Sequence, residues 1–363
     1  MLKRVSLFLV LSLLVLALAG CAGTPVIYMT NCECPTAAPA TEAPAVTAAP
    51  VAEEVPAAEG AVKTGLYIGA SAADSKSAAA EANGEAKYDV TVVAVPIDDA
   101  GVITDCIIDS IGASVAFDAA GAITSDTAAA VQTKNELGEA YGMKAYAGSK
   151  YEWNEQAAAL ADYAVGKTVE ELKNGAVNES GKAKDADLAS TATIYIGGYV
   201  AGIEAAAANA QALGAQAGDE LRLAIVPSVA DSAAATAEKA GNAQLNVDAA
   251  AITMKGDTIT SCYIDSLQAK IAFDAAGAVT SDLSAPFQTK NQLGEAYGMK
   301  AYAGSKYEWN EQAAAFAEYV TGKTAADVAG IAVAEGKPTD ADLSSTVTIA
   351  IGGFQGLIAK AAQ

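Results

Sequence analysis

The sequence predicts an α+β protein: two tandem copies of a small antiparallel-sheet domain with packed helices, placed after a signal peptide and a disordered linker. Three observations carry that expectation. The stretch QTKNELGEAYGMKAYAGSKYEWNEQAAA, from Gln132 to Ala159, returns from Gln288 to Ala315 with only Glu136 changed to Gln292. A constant offset of 156 puts Cys106 on Cys262, Phe117 on Phe273, Trp153 on Trp309 and Lys167 on Lys323, so the repeat is domain-sized and not a solenoid period. Within each copy β-branched runs come first and helical patterns follow, which is the order of an α+β chain.

At the N-terminus, Lys3 and Arg4 precede an apolar run from Val5 to Ala19, and Leu18-Ala19-Gly20 leads directly into Cys21. Residues 1–20 therefore read as a lipoprotein signal peptide, with Cys21 as the lipidated residue. Two acyl chains on that cysteine hold a protein at the outer face of the cytoplasmic membrane, exposed at the cell surface. Residues 21–61 form a Pro/Ala-rich linker. Its PTAAPATEAPAVTAAPVAEEVPAAEG segment carries no aromatic residue, and at about 3.1 Å per residue it reaches up to roughly 80 Å when extended.

The copies are placed at 62–212 and 217–363. In the first, GLYIGAS and YDVTVVAVPIDDAGVITDCIIDSI are strand-like runs broken by Asp98-Asp99-Ala100-Gly101, the signature of a hairpin. Thr133 to Met143 has a short helical pattern closed by Gly142, Tyr151 to Val165 a longer one ending at Gly166, and Val169 to Leu172 a third. DADLASTATIYIGGYVAGIEAAAANA then runs from a Ser/Thr-rich start into a terminal helix. GKT at Gly166–Thr168 and Gly322–Thr324 is a helix stop and not a phosphate loop, because the earlier glycine is Ala161 in one copy and Ala317 in the other. From Tyr88 to Asp105 hardly a residue matches its partner, in contrast to the near-identical stretch.

Composition excludes several functions. Lysine and arginine number 22 against 43 acidic residues, a formal charge of −21, and such a surface repels nucleic acid. The chain has no histidine, so it holds no histidine-bearing zinc site and no Ser-His-Asp or Cys-His pair. Cys32 and Cys34 stand in CEC beside the linker, two ligands short of a metal site. Cys106 and Cys262, in ITDCIIDS and ITSCYIDS, read as small buried hydrophobes.

Asp187-Leu188-Ala189-Ser190-Thr191-Ala192-Thr193 corresponds to Asp342-Leu343-Ser344-Ser345-Thr346-Val347-Thr348. This pattern resembles the covalent FMN-binding domain family of electron-transfer proteins, whose DxxSGAT motif ends in the threonine that carries the flavin. The resemblance implies Thr193 and Thr348 as acceptors of a flavin phosphoester, with Asp187, Ser190, Asp342 and Ser345 as motif partners. The family's glycine is Thr191 in one copy and Thr346 in the other, and its alanine is Val347 in the second. With lipoprotein signal, linker and two copies, the whole chain is similar to flavinylated surface lipoproteins of extracellular electron transfer. That implies a flavin transferase for maturation, a membrane dehydrogenase or quinone as donor, and an acceptor such as ferric iron or soluble flavin. It implies an electron carrier more than an enzyme with its own substrate.

A flavin ring needs flat apolar partners and a few polar groups. Within the repeated stretch, Met143, Lys150 and Trp153, with Met299, Lys306 and Trp309, are expected at the ring, together with Tyr141, Lys144, Tyr146 and Tyr151 and their counterparts. A threonine where a turn enters a helix would set the phosphate near free N–H groups. The competing expectation is a surface lipoprotein whose duplicated domain binds a ligand or cell-wall polymer without redox chemistry.

Overall fold

The computed structural model describes residues 60–363, a mixed α+β fold with small antiparallel sheets. The signal, Cys21, Cys32, Cys34 and almost all of the linker lie outside the described residues. In the first half, β1 (Lys63–Ser71), β2 (Gly84–Ile97) and β3 (Ile107–Phe117) form an antiparallel sheet in the order β1-β2-β3. In the second, β4 (Glu220–Ser228), β5 (Gly241–Lys255) and β6 (Thr258–Phe273) repeat it.

The two-residue alternation of the central strands explains their packing. Tyr88, Val90, Val92 and Ala94 of β2 face the other sheet and join Leu245, Val247, Ala249 and Ala251 of β5 in one shared core. Val93 and Val95, and in the other half Ala250, Ile252 and Met254, face helices instead. Both central strands are thus apolar on both sides, and the order of layers is helices, sheet, sheet, helices.

The sheets meet through corresponding residues. Phe117 and Phe273 stack with ring centres 4.0 Å apart and planes at 4°. A Cβ on Gly84 would stand 2.4 Å from the Phe117 ring, and one on Gly241 2.3 Å from Phe273, so each ring needs its glycine. Ala78 N–H donates to the Gly277 carbonyl and Ala235 N–H to the Gly121 carbonyl, both at 2.8 Å. These reciprocal bonds join equivalent positions, as in a two-fold dimer fused into one chain.

Strand register corrects the constant offset. Lys63 pairs with Ile97 and Glu220 with Met254, so partners in β1 and β2 stand 157 residues apart. After the turn the offset is 156, because Gly256-Asp257 closes the second hairpin in one residue fewer than the first half uses. A third value, 155, holds from Asp185 and Asp340 onward. Part of the mismatch over Tyr88–Asp105 is this slip, and part is real divergence.

The helices α1 (Lys134–Leu137), α2 (Met143–Ala147), α3 (Trp153–Ala164), α4 (Val169–Ala176), α5 (Ala186–Thr191) and α6 (Gly197–Ala208) follow β3. Their counterparts are α7 (Lys290–Leu293), α8 (Met299–Ala303), α9 (Trp309–Val320), α10 (Ala325–Ala329), α11 (Ala341–Ser344) and α12 (Gly352–Ala361). The pattern expected over Thr133–Met143 breaks at Gly138 into α1 and a 3₁₀ turn, Gly138–Tyr141. Gly142 then takes φ 83°, and α2 starts afresh beyond it. Gly166, at φ 79°, closes α3, and Thr168 caps α4 with Glu171, so GKT is a stop followed by a start. DADLAST, expected as a polar lead-in, forms α5 because Asp185 accepts from the Asp187 and Leu188 N–H groups.

Candidate functional site

Thr193 lies between α5 and α6, exposed, three residues ahead of Ile196, the N-cap of α6. Its hydroxyl does not face that helix end, as the sequence suggested. It donates to Gln156 Oε1 at 3.0 Å, and the backbone N–H groups of Thr193 and Ile194 donate to the same oxygen at 2.8 and 3.1 Å. Gln156 is completely buried on α3, and its amide nitrogen donates to the Tyr151 carbonyl at 3.1 Å. The second half repeats this: Thr348 N–H and hydroxyl donate to Gln312 Oε1 at 2.8 and 3.1 Å, and Gln312 Nε2 donates to the Tyr307 carbonyl at 3.1 Å. With its proton turned inward, each hydroxyl presents its lone pairs to solvent.

Glu152 and Glu308 support these glutamines. Glu152 is buried, begins α3 in a capping box with Glu155, and accepts the N–H groups of Met143 and Lys144 at 2.7 and 3.0 Å. One carboxylate therefore joins the start of α2 to the start of α3, and Glu308 does the same for α8 and α9.

Beside Thr193 opens a groove of about 490 Å³ lined by Lys134, Tyr141, Met143, Tyr146, Trp153, Ile194, Tyr195 and Tyr199. Trp153 is buried, its ring meeting Tyr199 edge-on at 5.7 Å and its Nε1 donating to the Tyr199 hydroxyl at 3.1 Å. Lys134 Nζ stands 5.1 Å from the Trp153 ring centre and 5.2 Å from that of Tyr141. Tyr146 is 90% exposed and Tyr195 69%, so two large rings project at the rim. In the other half Lys290 stands 4.7 Å from the Trp309 ring and 5.3 Å from Tyr297, and Trp309 meets Phe354 edge-on at 5.8 Å.

The structure thus brings Thr193 and Met143 to Gln156, with Trp153 in the adjoining groove, and in the other half brings Thr348 to Gln312, with Trp309 on the same helix. It leaves other expected residues apart. Asp187 and Ser190 are exposed on α5, where the Ser190 hydroxyl donates to the Asp187 carbonyl at 2.7 Å; Ser345 and Asp342 pair in the same way. Neither motif aspartate is a partner of its threonine. Lys150 sits over Tyr151 and Lys306 over Tyr307, each at 4.8 Å, and Lys150 is not among the groove's lining residues. Hydrogen bonding from Lys150 holds the Tyr151 phenol below its ordinary pKa, and the Thr191 hydroxyl, where the family motif has glycine, also reaches that phenol.

Sequence reasoning missed Gln156, Gln312, Glu152, Glu308, Lys134 and Lys290. All lie inside the repeated stretch, whose near-identity is the one signal that marks them. Tyr195 and Tyr199 carried no such signal, since their counterparts are Ala350 and Phe354.

A larger hollow, about 960 Å³, includes neither threonine; Asp265, Glu311 and Glu318 line it with no lysine or arginine. Burial pushes the Asp265 carboxyl up to about 6. Cys106 and Cys262 are buried free thiols, and burial raises both, Cys262 to about 12. Among the described residues no group of three or more cysteine, aspartate or glutamate side chains could hold a metal ion, and no helix is long and apolar enough to cross a membrane.

No family model matches this chain, and neither a curated protein nor a solved structure matches it.

Proposed function

We propose that this chain is a membrane-anchored, extracytoplasmic electron carrier built from two tandem FMN-binding-like domains, with flavin joined through phosphoester bonds to Thr193 and Thr348. The observation that carries the reading is the repeated cradle: an exposed threonine whose hydroxyl is fixed by a fully buried glutamine, beside aromatic rings and a lysine. A flat ring of mixed polarity suits the groove beside Thr193, whose lining combines apolar side chains with tyrosines and a lysine.

When bound, flavin supplies the ability to accept and release electrons singly or in pairs. The residues of this chain do the rest. Gln156 and Gln312 hold the acceptor hydroxyl outward, Trp153 and Trp309 offer a ring edge, and Lys134 and Lys290 place a cation over those rings. Lipid anchoring at Cys21 and the long linker accord with a donor in the membrane, a dehydrogenase or quinone, and an acceptor beyond it, such as ferric iron or soluble flavin. Attachment in the cell-surface location would itself depend on a flavin transferase.

Peptide mass spectrometry tests the reading on the protein produced with an active flavin transferase and FAD. The expected result is FMN mass on both threonines, lost at one site in Thr193→Ala and at the other in Thr348→Ala. A protein free of flavin, made beside a control that the transferase does modify, would overturn it and favour a ligand-binding surface module.

A further inference from the structure

We infer that the two cradles hold their flavins at unequal potentials, the site beside Thr193 being the stronger electron acceptor. This rests on the proposed function and goes beyond it, because it comes from the positions at which otherwise identical surroundings differ.

Around the shared tryptophan, methionine and lysine, four positions change. Tyr195 and Tyr199 become Ala350 and Phe354. The Tyr199 oxygen already accepts the Trp153 N–H, so its own proton is free to donate elsewhere, and Phe354 offers no such donor. Gly112 becomes Gln268, whose Oε1 takes the Tyr297 hydroxyl proton at 3.2 Å, and a glycine offers the equivalent Tyr141 no such acceptor. Finally Thr91, on the helix-facing side of β2, becomes Asp248 at the register-matched place on β5.

Asp248 sits at the second cradle. Its Oδ2 lies 4.0 Å from where a Cβ would stand on Gly353, at the start of α12. Burial lowers the Lys290 pKa and the Asp248 carboxylate raises it, and the same carboxylate raises that of Tyr297 after burial. Asp248 therefore acts on Lys290, which stands over the Trp309 ring, and on Tyr297, over which the same lysine stands.

Full reduction of a flavin consumes two electrons and two protons, and negative charge gathers on the ring as electrons arrive. Hydroxyl donors favour that charge, and a carboxylate opposes it. The first cradle has the donors, whereas the second has the carboxylate and has spent its tyrosine on Gln268. A pair of electrons shared between the sites would settle beside Thr193, oxidising one ring as the other is reduced.

The test is a spectroelectrochemical titration of the full chain, flavinylated at one site at a time and checked by mass. Thr348→Ala leaves the first site and Thr193→Ala the second. The first-site protein should be half-reduced at the higher potential. Adding Tyr199→Phe should lower that midpoint, and adding Asp248→Thr should raise the second. Equal or reversed midpoints, or midpoints that neither substitution moves, overturn the ordering while leaving the carrier reading intact. Absence of flavin mass on both threonines ends both.

Discussion

The stretches at 132–159 and 288–315 differ at one residue in twenty-eight, while ten of the fourteen residues of β2 differ from their register partners in β5. The two regions face different things. The repeated stretch builds the threonine cradle, where Gln156, Glu152 and Trp153 each meet a fixed polar or aromatic partner. The central strands instead face the opposite half, Tyr88 reaching the Ala243 carbonyl at 2.8 Å where Leu245 holds the equivalent place. A contact between unlike surfaces asks only that volumes fit, so a change on one side is absorbed on the other. A hydrogen-bonded cradle has no such freedom.

The largest expected effect attacks the shared core. Phe273→Ala removes half of the Phe117 stack and opens a cavity in the middle of the molecule, at a cost of about 3–5 kcal/mol. Since both halves contribute to that core, urea unfolding should remain a single transition moved to lower urea. Two transitions, with only one displaced, would show that the halves are energetically separate and break the comparison.

Gln156→Leu strikes the constrained region. It leaves the N–H groups of Thr193 and Ile194 without their acceptor, a loss of about 2–4 kcal/mol for two unpaired donors, less where water reaches them. Flavin incorporation at Thr193 should fall by at least about tenfold relative to Thr348, the effect of 1.4 kcal/mol on a rate. The untouched second site is the internal control in one mass spectrum. Gln156→Glu keeps an oxygen acceptor and should retain more incorporation than the leucine variant.

How much of this was legible before the structure follows the same division. Strand and helix order could be read because β-branched runs and glycine stops are local signals, as at Gly142 and Gly166. The two candidate threonines are marked by a linear motif. Gln156 is not, because its role is defined by a partner 37 residues away, and no spacing rule announces that contact. Lys150, a cation among aromatic residues in the sequence, covers its own neighbour Tyr151. The face-to-face packing of the sheets was hidden for a further reason. A strand apolar on both sides reads the same whether its second face meets a helix or another sheet.

Asp265→Asn probes the buried carboxyl of β6. Burial raises its pKa to about 6 against an ordinary value of about 3.9. The folded protein thus holds this proton more tightly than the unfolded chain, and its stability relative to the variant falls as pH rises from about 4 to about 6, then stays level. The asparagine variant should gain on the parent across that window by at most about 3 kcal/mol, the equivalent of two pH units. Denaturant midpoints at pH 4.5 and 7.5 would measure it, and a pH-independent difference would show that Asp265 is charged in both states.

The smallest effect concerns the one residue that separates the repeated stretches. Glu136→Gln makes them identical, and the helix start should survive, because Gln292 already serves it: Thr289 N–H donates to Gln292 Oε1 at 2.9 Å and the Thr289 hydroxyl accepts the Gln292 N–H at 3.2 Å. What is lost is the ion pair from Glu136 to Lys360, on the last helix of the other half. Both side chains are about one-third exposed, so the pair contributes about 0.2–1 kcal/mol and less in high salt. The equivalent of Lys360 in the first half is Ala205, so Gln292 has no ammonium to meet, and Gln292→Glu should add nothing. A small, salt-sensitive loss in Glu136→Gln with unchanged flavin incorporation at Thr193 would place this difference at the contact between halves. A change in incorporation would mean that even this position serves the cradle, and that the two stretches are not equivalent where it matters most.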